Sequence, residues 1–175
     1  MLLKGVIIEA RTSSKRLFGK TIKRICGRPT IQLMIERVKR IKGINKIILA
    51  TSTNKCDKIL VNIAKKEGID FFCGSEEDVL SRVLQAAKKF SIDTIISLPG
   101  DCTLIDPNCV ESVINVFDNN NYDYVSSALS NTFPLGMEAQ VYKRSVLEKV
   151  DKLTKNPLDR EHVTLYIYKN PKKFR

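Results

Sequence analysis

Short apolar runs alternate with longer segments of helical periodicity along most of the chain, and this alternation narrows the possible folds most. Residues 5–10 read Gly-Val-Ile-Ile-Glu-Ala, the length of a buried strand rather than a buried helix. Residues 45–51, 69–73 and 94–98 repeat that pattern. Between them the spacing predicts helices. Pro29 opens one carrying Ile31, Met34, Ile35, Val38 and Ile41, with Gly43 as its stop. Residues 57–66 and 76–90 form two more, the last with acids at its start and Lys88-Lys89 at its end, as the helix dipole favours. Asp106-Pro107 is a cap and first-turn pair for a helix bearing Val110, Val113, Ile114 and Phe117. Further strands are expected at 122–128 and 137–142, and helices at 145–153 and 159–168. Strand–helix alternation of this kind requires right-handed crossovers and a mostly parallel sheet in an α/β fold. Such sheets bind ligands beyond the carboxyl ends of their strands.

Neither a repeat nor a linker breaks the pattern, so residues 1–175 are read as one domain. The start, MLLKGVIIEARTSSKR, has no basic lead and no long apolar stretch. The expectation is a cytoplasmic protein with no membrane partner. Five cysteines stand apart without a C-x-x-C pair, which argues against a zinc ribbon or a disulfide framework and for buried free thiols. A single histidine, His162, excludes a multi-histidine metal centre.

Charge is strongly segregated. Residues 1–66 hold 17 Lys/Arg against 3 Asp/Glu, and residues 67–142 hold 3 against 12. A basic third beside an acidic third can hold polyphosphate with one and a divalent cation with the other, or can simply be two solvated faces. A nucleic-acid-binding module is a third reading. It is weakened by 7% aromatic residues and no Trp, which leaves little for bases to stack on.

Three places could carry chemistry. The loop at 11–20 follows the first strand and combines Arg11, Ser14, Arg16, Gly19 and Lys20. Backbone N–H groups, hydroxyls and paired Arg donors can surround phosphate oxygens. The loop matches neither a Walker loop nor a dinucleotide fingerprint, and a flexible basic loop is the competing reading. Asp101 ends the fourth predicted strand, where it could hold phosphate-bound Mg²⁺ or merely form a turn. Asp159-Arg160-Glu161-His162 could bind a polar substrate, or Asp159 could cap a helix whose other residues are solvated.

The ordered motifs then resemble a family. Arg11-x-x-Ser14-x-Arg16-Leu17-x-Gly19-Lys20, followed by Gly27-Arg28-Pro29, is similar to the R-x-x-S-x-R-L-P-G-K … G-K-P signature of sugar cytidylyltransferases. These enzymes activate 3-deoxy-manno-octulosonate and sialic acids. Gly74-Ser75-Glu76-Glu77-Asp78-Val79-Leu80-Ser81-Arg82, Gly100-Asp101-Cys102-Thr103-Leu104-Ile105-Asp106-Pro107 and Arg160-Glu161-His162-Val163-Thr164 resemble the spore coat polysaccharide biosynthesis branch.

The resemblance covers nearly the whole chain. It implies a Rossmann-like, mixed but mostly parallel sheet of the nucleotide-diphospho-sugar transferase type. The implied reaction is attack of a sugar hydroxyl on the α-phosphate of CTP, with pyrophosphate leaving, in surface polysaccharide synthesis. Matching positions make Arg11, Lys20 and Asp101 catalytic, with Asp101 on Mg²⁺. Ala10, Arg11, Ser14, Arg16, Gly19, Lys20, Ser75 and Arg82 would bind nucleotide, and Arg160, Glu161 and His162 would lie toward the sugar. A homodimer is also implied. A nucleotide-sugar-binding protein or glycosyltransferase on the same fold is the alternative. Three departures stand out: Phe18 in place of proline, Glu9 in place of glutamine or proline, and an expected further C-terminal strand and helix, bearing an acidic segment, beyond Arg175.

Overall fold

The computed structural model of the protein describes residues 2–14, 17–129 and 133–175. Four apolar runs form the parallel part of a six-stranded sheet: β1 (Lys4–Glu9), β4 (Lys46–Ser52), β5 (Asp70–Gly74) and β6 (Thr94–Pro99). A small antiparallel hairpin, β2 (Arg24–Ile25) and β3 (Arg28–Pro29), precedes α1 (Thr30–Val38). The strand order is β5-β4-β1-β6-β8-β7, where β7 is Tyr124–Ser126 and β8 is Gln140–Lys143. β8 runs antiparallel to both β6 and β7, which makes the sheet mixed but mostly parallel.

Alternation along the central strands divides the interior into two cores. Val6, Ile8, Ala10 and Leu98 face α1, α2 (Lys58–Lys66) and α4 (Pro107–Asp118). Ile7, Ile48, Ala50 and Ile95 face α3 (Val79–Lys89), α5 (Arg144–Leu153) and the C-terminal segment with Val163 and Ile167. A strand buried on both faces shows no polar alternation, which is why these runs read as continuous apolar stretches. Among the described residues no helix is long and apolar enough to cross a membrane.

Several predicted boundaries move. Pro29 precedes the first turn of α1 rather than sitting inside it. Strands β7 and β8 are shorter than expected, at Tyr124–Ser126 and Gln140–Lys143. The helix expected at 159–168 is two short helices, α6 (Pro157–Glu161) and α7 (Leu165–Lys169), because the backbone leaves helical geometry at His162 (φ −103°, ψ 69°). Asn156, not Asp159, caps α6 by accepting from the Leu158 N–H at 2.9 Å. Asp106 does cap α4, through the Asn108 N–H at 2.8 Å. The five thiols are free, but only Cys102 is buried, and Cys26 and Cys56 are exposed.

The chain builds β1, β4 and β5 outward on one side and then returns to place β6 on the other side of β1. The order therefore reverses between β1 and β6, and a crevice opens beyond their carboxyl ends.

Candidate active site

The loop after β1 folds back on itself. The N–H groups of Ser14 and Gly19 both donate to the Thr12 carbonyl, at 2.9 and 2.8 Å. Gly19 takes φ 66°, left-handed geometry that glycine adopts without steric cost, and the chain then enters a 3₁₀ turn at Lys20–Ile22. The Thr21 hydroxyl donates to the Arg11 carbonyl at 3.3 Å. This closure brings the two ends of a ten-residue loop, Arg11 and Lys20, onto one rim.

At the end of β6, the Gly100 N–H donates to the Glu9 carbonyl at 2.8 Å. The two strand ends thus stay in contact one residue past their sheet pairing. Asp101 follows at once, and its carboxylate pairs with the Lys20 ammonium. Arg11 lies 3.8 Å from the Glu76 carboxylate and 3.7 Å from that of Glu161. Glu76 also accepts from Ser13 and Asn54, and these bonds, with Arg11, hold its carboxyl below the usual range.

These groups enclose a cavity of about 450 Å³. Arg11, Ser14, Lys20 and Thr21 line it from the loop, Glu9 and Ala10 from β1, Pro99, Gly100 and Asp101 from β6, Val79 and Arg82 from α3, and Glu161 and His162 from the end of α6. The Arg82 guanidinium is almost wholly buried and donates to the carbonyls of Ser75 and Glu76. Burial pulls its pKa down, while the nearby carboxylates, Glu9 foremost, pull it up.

A second cavity of about 540 Å³ adjoins the first and shares Glu9, Pro99, Glu161 and His162 with it. Ser97 and Gln140 form its floor on β6 and β8, and residues of α6, α7 and the link between them cover it. Glu161, the last residue of α6, and His162, where the helix breaks, line both spaces. Thr164, in the same link, donates to the Gln140 side chain at 2.6 Å.

The structure therefore gathers Ala10, Arg11, Ser14, Lys20, Arg82, Asp101, Glu161 and His162 around connected space. Gly19 shapes the loop without lining the cavity. Arg16 lies outside the described residues. Ser75 stands apart, its carbonyl bound to Arg82 and its hydroxyl accepting from the Asp78 N–H at 3.0 Å. Arg160 also departs from the sequence expectation. Its Nε binds Asp78 at 2.7 Å, Nη2 binds Asp151 at 2.8 Å and Nη1 binds the Thr154 carbonyl at 3.2 Å, so its donors hold α6 in place instead of facing either cavity. Sequence reasoning missed Asp57. It marked Glu9 as a departure from the glutamine or proline of the resembling enzymes, and the structure places it on the cavity.

A family model described as cytidylyltransferase matches residues 5–175. The chain belongs to the cytidylyltransferase family. Among relatives, an uncharacterized protein of Methanocaldococcus jannaschii is 38% identical over 169 residues, covering 97% of this chain and 68% of its own. A spore coat polysaccharide biosynthesis protein of Bacillus subtilis is 31% identical over 176 residues, covering 97% and 71%. A 3-deoxy-manno-octulosonate cytidylyltransferase of Hydrogenovibrio crunogenus is 30% identical over 146 residues, covering 78% and 55%. The solved structure of a cytidylyltransferase from Leptospira borgpetersenii superposes with a TM-score of 0.95 at 34% identity, over 99% of this chain and 74% of that one. In this member of the family, then, the crevice lies where open α/β sheets place their ligands.

Proposed function

We propose that the protein transfers a cytidylyl group from CTP to a sugar hydroxyl and releases pyrophosphate, in the synthesis of a surface polysaccharide. One observation carries the reading. Arg11, Lys20 and Asp101 meet on a single cavity whose far wall is also the wall of a second cavity. Transfer at phosphorus needs charge neutralisation and in-line positioning more than a covalent nucleophile, and the first cavity supplies cations on a tied loop. The second offers Ser97, Gln140, Thr164 and His162 as hydrogen-bonding groups suited to a polyhydroxylated acceptor. The 3-deoxy-manno-octulosonate enzymes among the relatives favour an acidic sugar as the first acceptor to try.

Among the described residues no three His, Cys, Asp or Glu side chains gather as a self-sufficient metal site. Mg²⁺, however, commonly takes one or two carboxylates and fills its shell from phosphate oxygens and water. Asp101, 44% exposed on the cavity rim, fits as one such ligand. Bound there with the triphosphate, Mg²⁺ would neutralise charge on the departing pyrophosphate. Arg11 and Lys20 would orient the phosphate oxygens, exchanging their carboxylate partners for them.

The test is a thermal-shift panel of CTP, UTP, ATP and GTP with Mg²⁺, followed by pyrophosphate release from the stabilising nucleotide with a panel of sugars. Stabilisation by CTP and sugar-dependent pyrophosphate release are expected. Absence of stabilisation by every triphosphate removes the reading, and nucleotide binding without pyrophosphate release points instead to a glycosyltransferase or nucleotide-sugar-binding protein.

A further inference from the structure

We propose that Glu76 is a positioning residue that presents Arg11 to the triphosphate, with Glu161 as the partner Arg11 releases; the inference rests on the cytidylyl transfer proposed above. Arg11 stands between these two carboxylates, 3.8 Å from Glu76 and 3.7 Å from Glu161. The two are held very differently. Glu76 lies between β5 and α3. One oxygen of its carboxylate accepts from the Ser13 hydroxyl, and the other accepts from the Asn54 amide just past β4. Its main-chain carbonyl accepts from Nη1 of Arg11 at 3.2 Å. The same carbonyl accepts from Nη1 of the buried Arg82, also at 3.2 Å. Both arginines line the first cavity. Glu76 thus joins the segments that follow three adjacent strands, β1, β4 and β5.

Glu161 has none of this support. Its side chain is 52% exposed, it ends a five-residue helix, and among the described residues no hydrogen-bond donor reaches its carboxylate. Exposed pairs of this kind hold weakly. An incoming phosphate oxygen therefore displaces Glu161 from Arg11, while Glu76 keeps its place behind the guanidinium.

The physical gain is preorganisation. A long arginine side chain that is free to rotate must be immobilised when it binds phosphate, and fixing it beforehand removes that loss. Two guanidinium groups that share one acceptor also repel each other, and the Glu76 carboxylate offsets part of that repulsion. The bonds from Ser13 and Asn54 keep this carboxyl ionised, below the usual glutamate range. The Gly74–Arg82 motif thereby acts on the site through Glu76 and Arg82, while Ser75 stands apart.

Calorimetric titration of the protein with CTP and Mg²⁺ separates the two acids by the sign of their effects. Glu76→Ala should weaken CTP binding about three- to tenfold while the free variant keeps a cooperative unfolding transition. Glu76→Gln retains an amide oxygen that can accept from Ser13 and Asn54, and should return affinity to within about twofold of wild type. Glu161→Gln removes the competitor and should tighten CTP binding about two- to fivefold. The loss caused by Glu76→Ala should shrink in an Asn54→Ala background, because the two residues act as one support. Glu76→Ala binding CTP as tightly as wild type or more tightly overturns the assignment, as does Glu76→Gln binding as weakly as Glu76→Ala. Weaker binding by Glu161→Gln overturns the division between a retained and a released partner. If the wild type binds no triphosphate, the proposed transfer itself fails and this inference falls with it.

Discussion

The Thr12 main-chain N–H and its hydroxyl both donate to one oxygen of Asp57, at 2.8 and 2.6 Å. The second oxygen of Asp57 accepts from Ser52 at the end of β4. Asp57 is wholly buried, and it ties the root of the Arg11 loop to a neighbouring strand. Burial alone would raise its pKa, but the bonds from Ser52 and Thr12 together outweigh burial and hold it below the ordinary aspartate value. Asp57→Ala leaves several buried donors unpaired and should cost about 3 kcal/mol at pH 7 in urea unfolding. Because the folded pKa is depressed, the charge-dependent part of this stabilisation is present above the unfolded value, about 3.9, and fades as pH falls through the lower folded value. The deficit of Asp57→Asn relative to wild type should therefore shrink below about pH 4, and a deficit that grows in acid would contradict the assignment.

Arg11, Lys20 and Asp101 already hold ionic partners on the cavity, so ligand binding is an exchange of partners. The Lys20–Asp101 and Arg11–Glu161 pairs are partly exposed and contribute little to folding. Arg11→Ala and Asp101→Ala should each change the stability of the free protein by less than about 1 kcal/mol. Ligand at 100 times its Kd stabilises a fold by about 2.7 kcal/mol, and for a chain of this size that is roughly 5–10 °C in Tm. Each variant should lose most of that CTP–Mg²⁺ shift in differential scanning fluorimetry. A full shift in both would dissociate these residues from the triphosphate.

Arg160 is expected to matter for the position of α6 rather than for direct contact with the sugar. Its side chain is only 14% exposed, and it joins Asp78 at the start of α3 to Asp151 near the end of α5. Burial opposes its charge, but the two carboxylates more than compensate and raise its pKa. Arg160→Lys keeps the charge and loses the fork that reaches both acids at once. Both Arg160→Ala and Arg160→Lys should lower stability, by about 2 and 1 kcal/mol respectively. A Tm unchanged in both would show that the bridge contributes nothing.

The parallel strands were legible because β1, β4, β5 and β6 are apolar runs of strand length bounded by turns. Arg11, Lys20 and Asp101 were legible for a related reason, since loops at the carboxyl ends of such strands converge by topology. The missed features depend on distant partners. Nothing local marks Asp57 as the anchor of Thr12, 45 residues earlier. The pattern at 159–168 is amphipathic enough for one helix, but the backbone leaves helical geometry at His162, just before Thr164 binds the distant Gln140 side chain. Arg160 sits in a motif with Glu161 and His162, but neighbours on a short helix point in different directions. It therefore faces Asp78 and Asp151 while Glu161 and His162 face the cavities.

Gly100 provides the sharpest link between fold and site. A Cβ there would stand 2.7 Å from the Ala10 Cβ and 2.8 Å from the Glu9 carbonyl oxygen. Both obstacles are held by the central strand, so Gly100→Ala must push the ends of β1 and β6 apart. Overpacking of this kind costs roughly 1–3 kcal/mol, and a shift of about 1 Å in reacting groups can cost 10²-fold in rate. Arg11 and Asp101 ride on these two strand ends, so CTP affinity should fall at least about tenfold. Ile114→Val, buried on α4 away from the crevice, serves as a control with a stability loss of about 1 kcal/mol. Titration calorimetry with CTP and Mg²⁺ should show near-wild-type affinity for Ile114→Val and weakened affinity for Gly100→Ala. Equal affinities would mean that the close approach of the two strands does not set the geometry of the site.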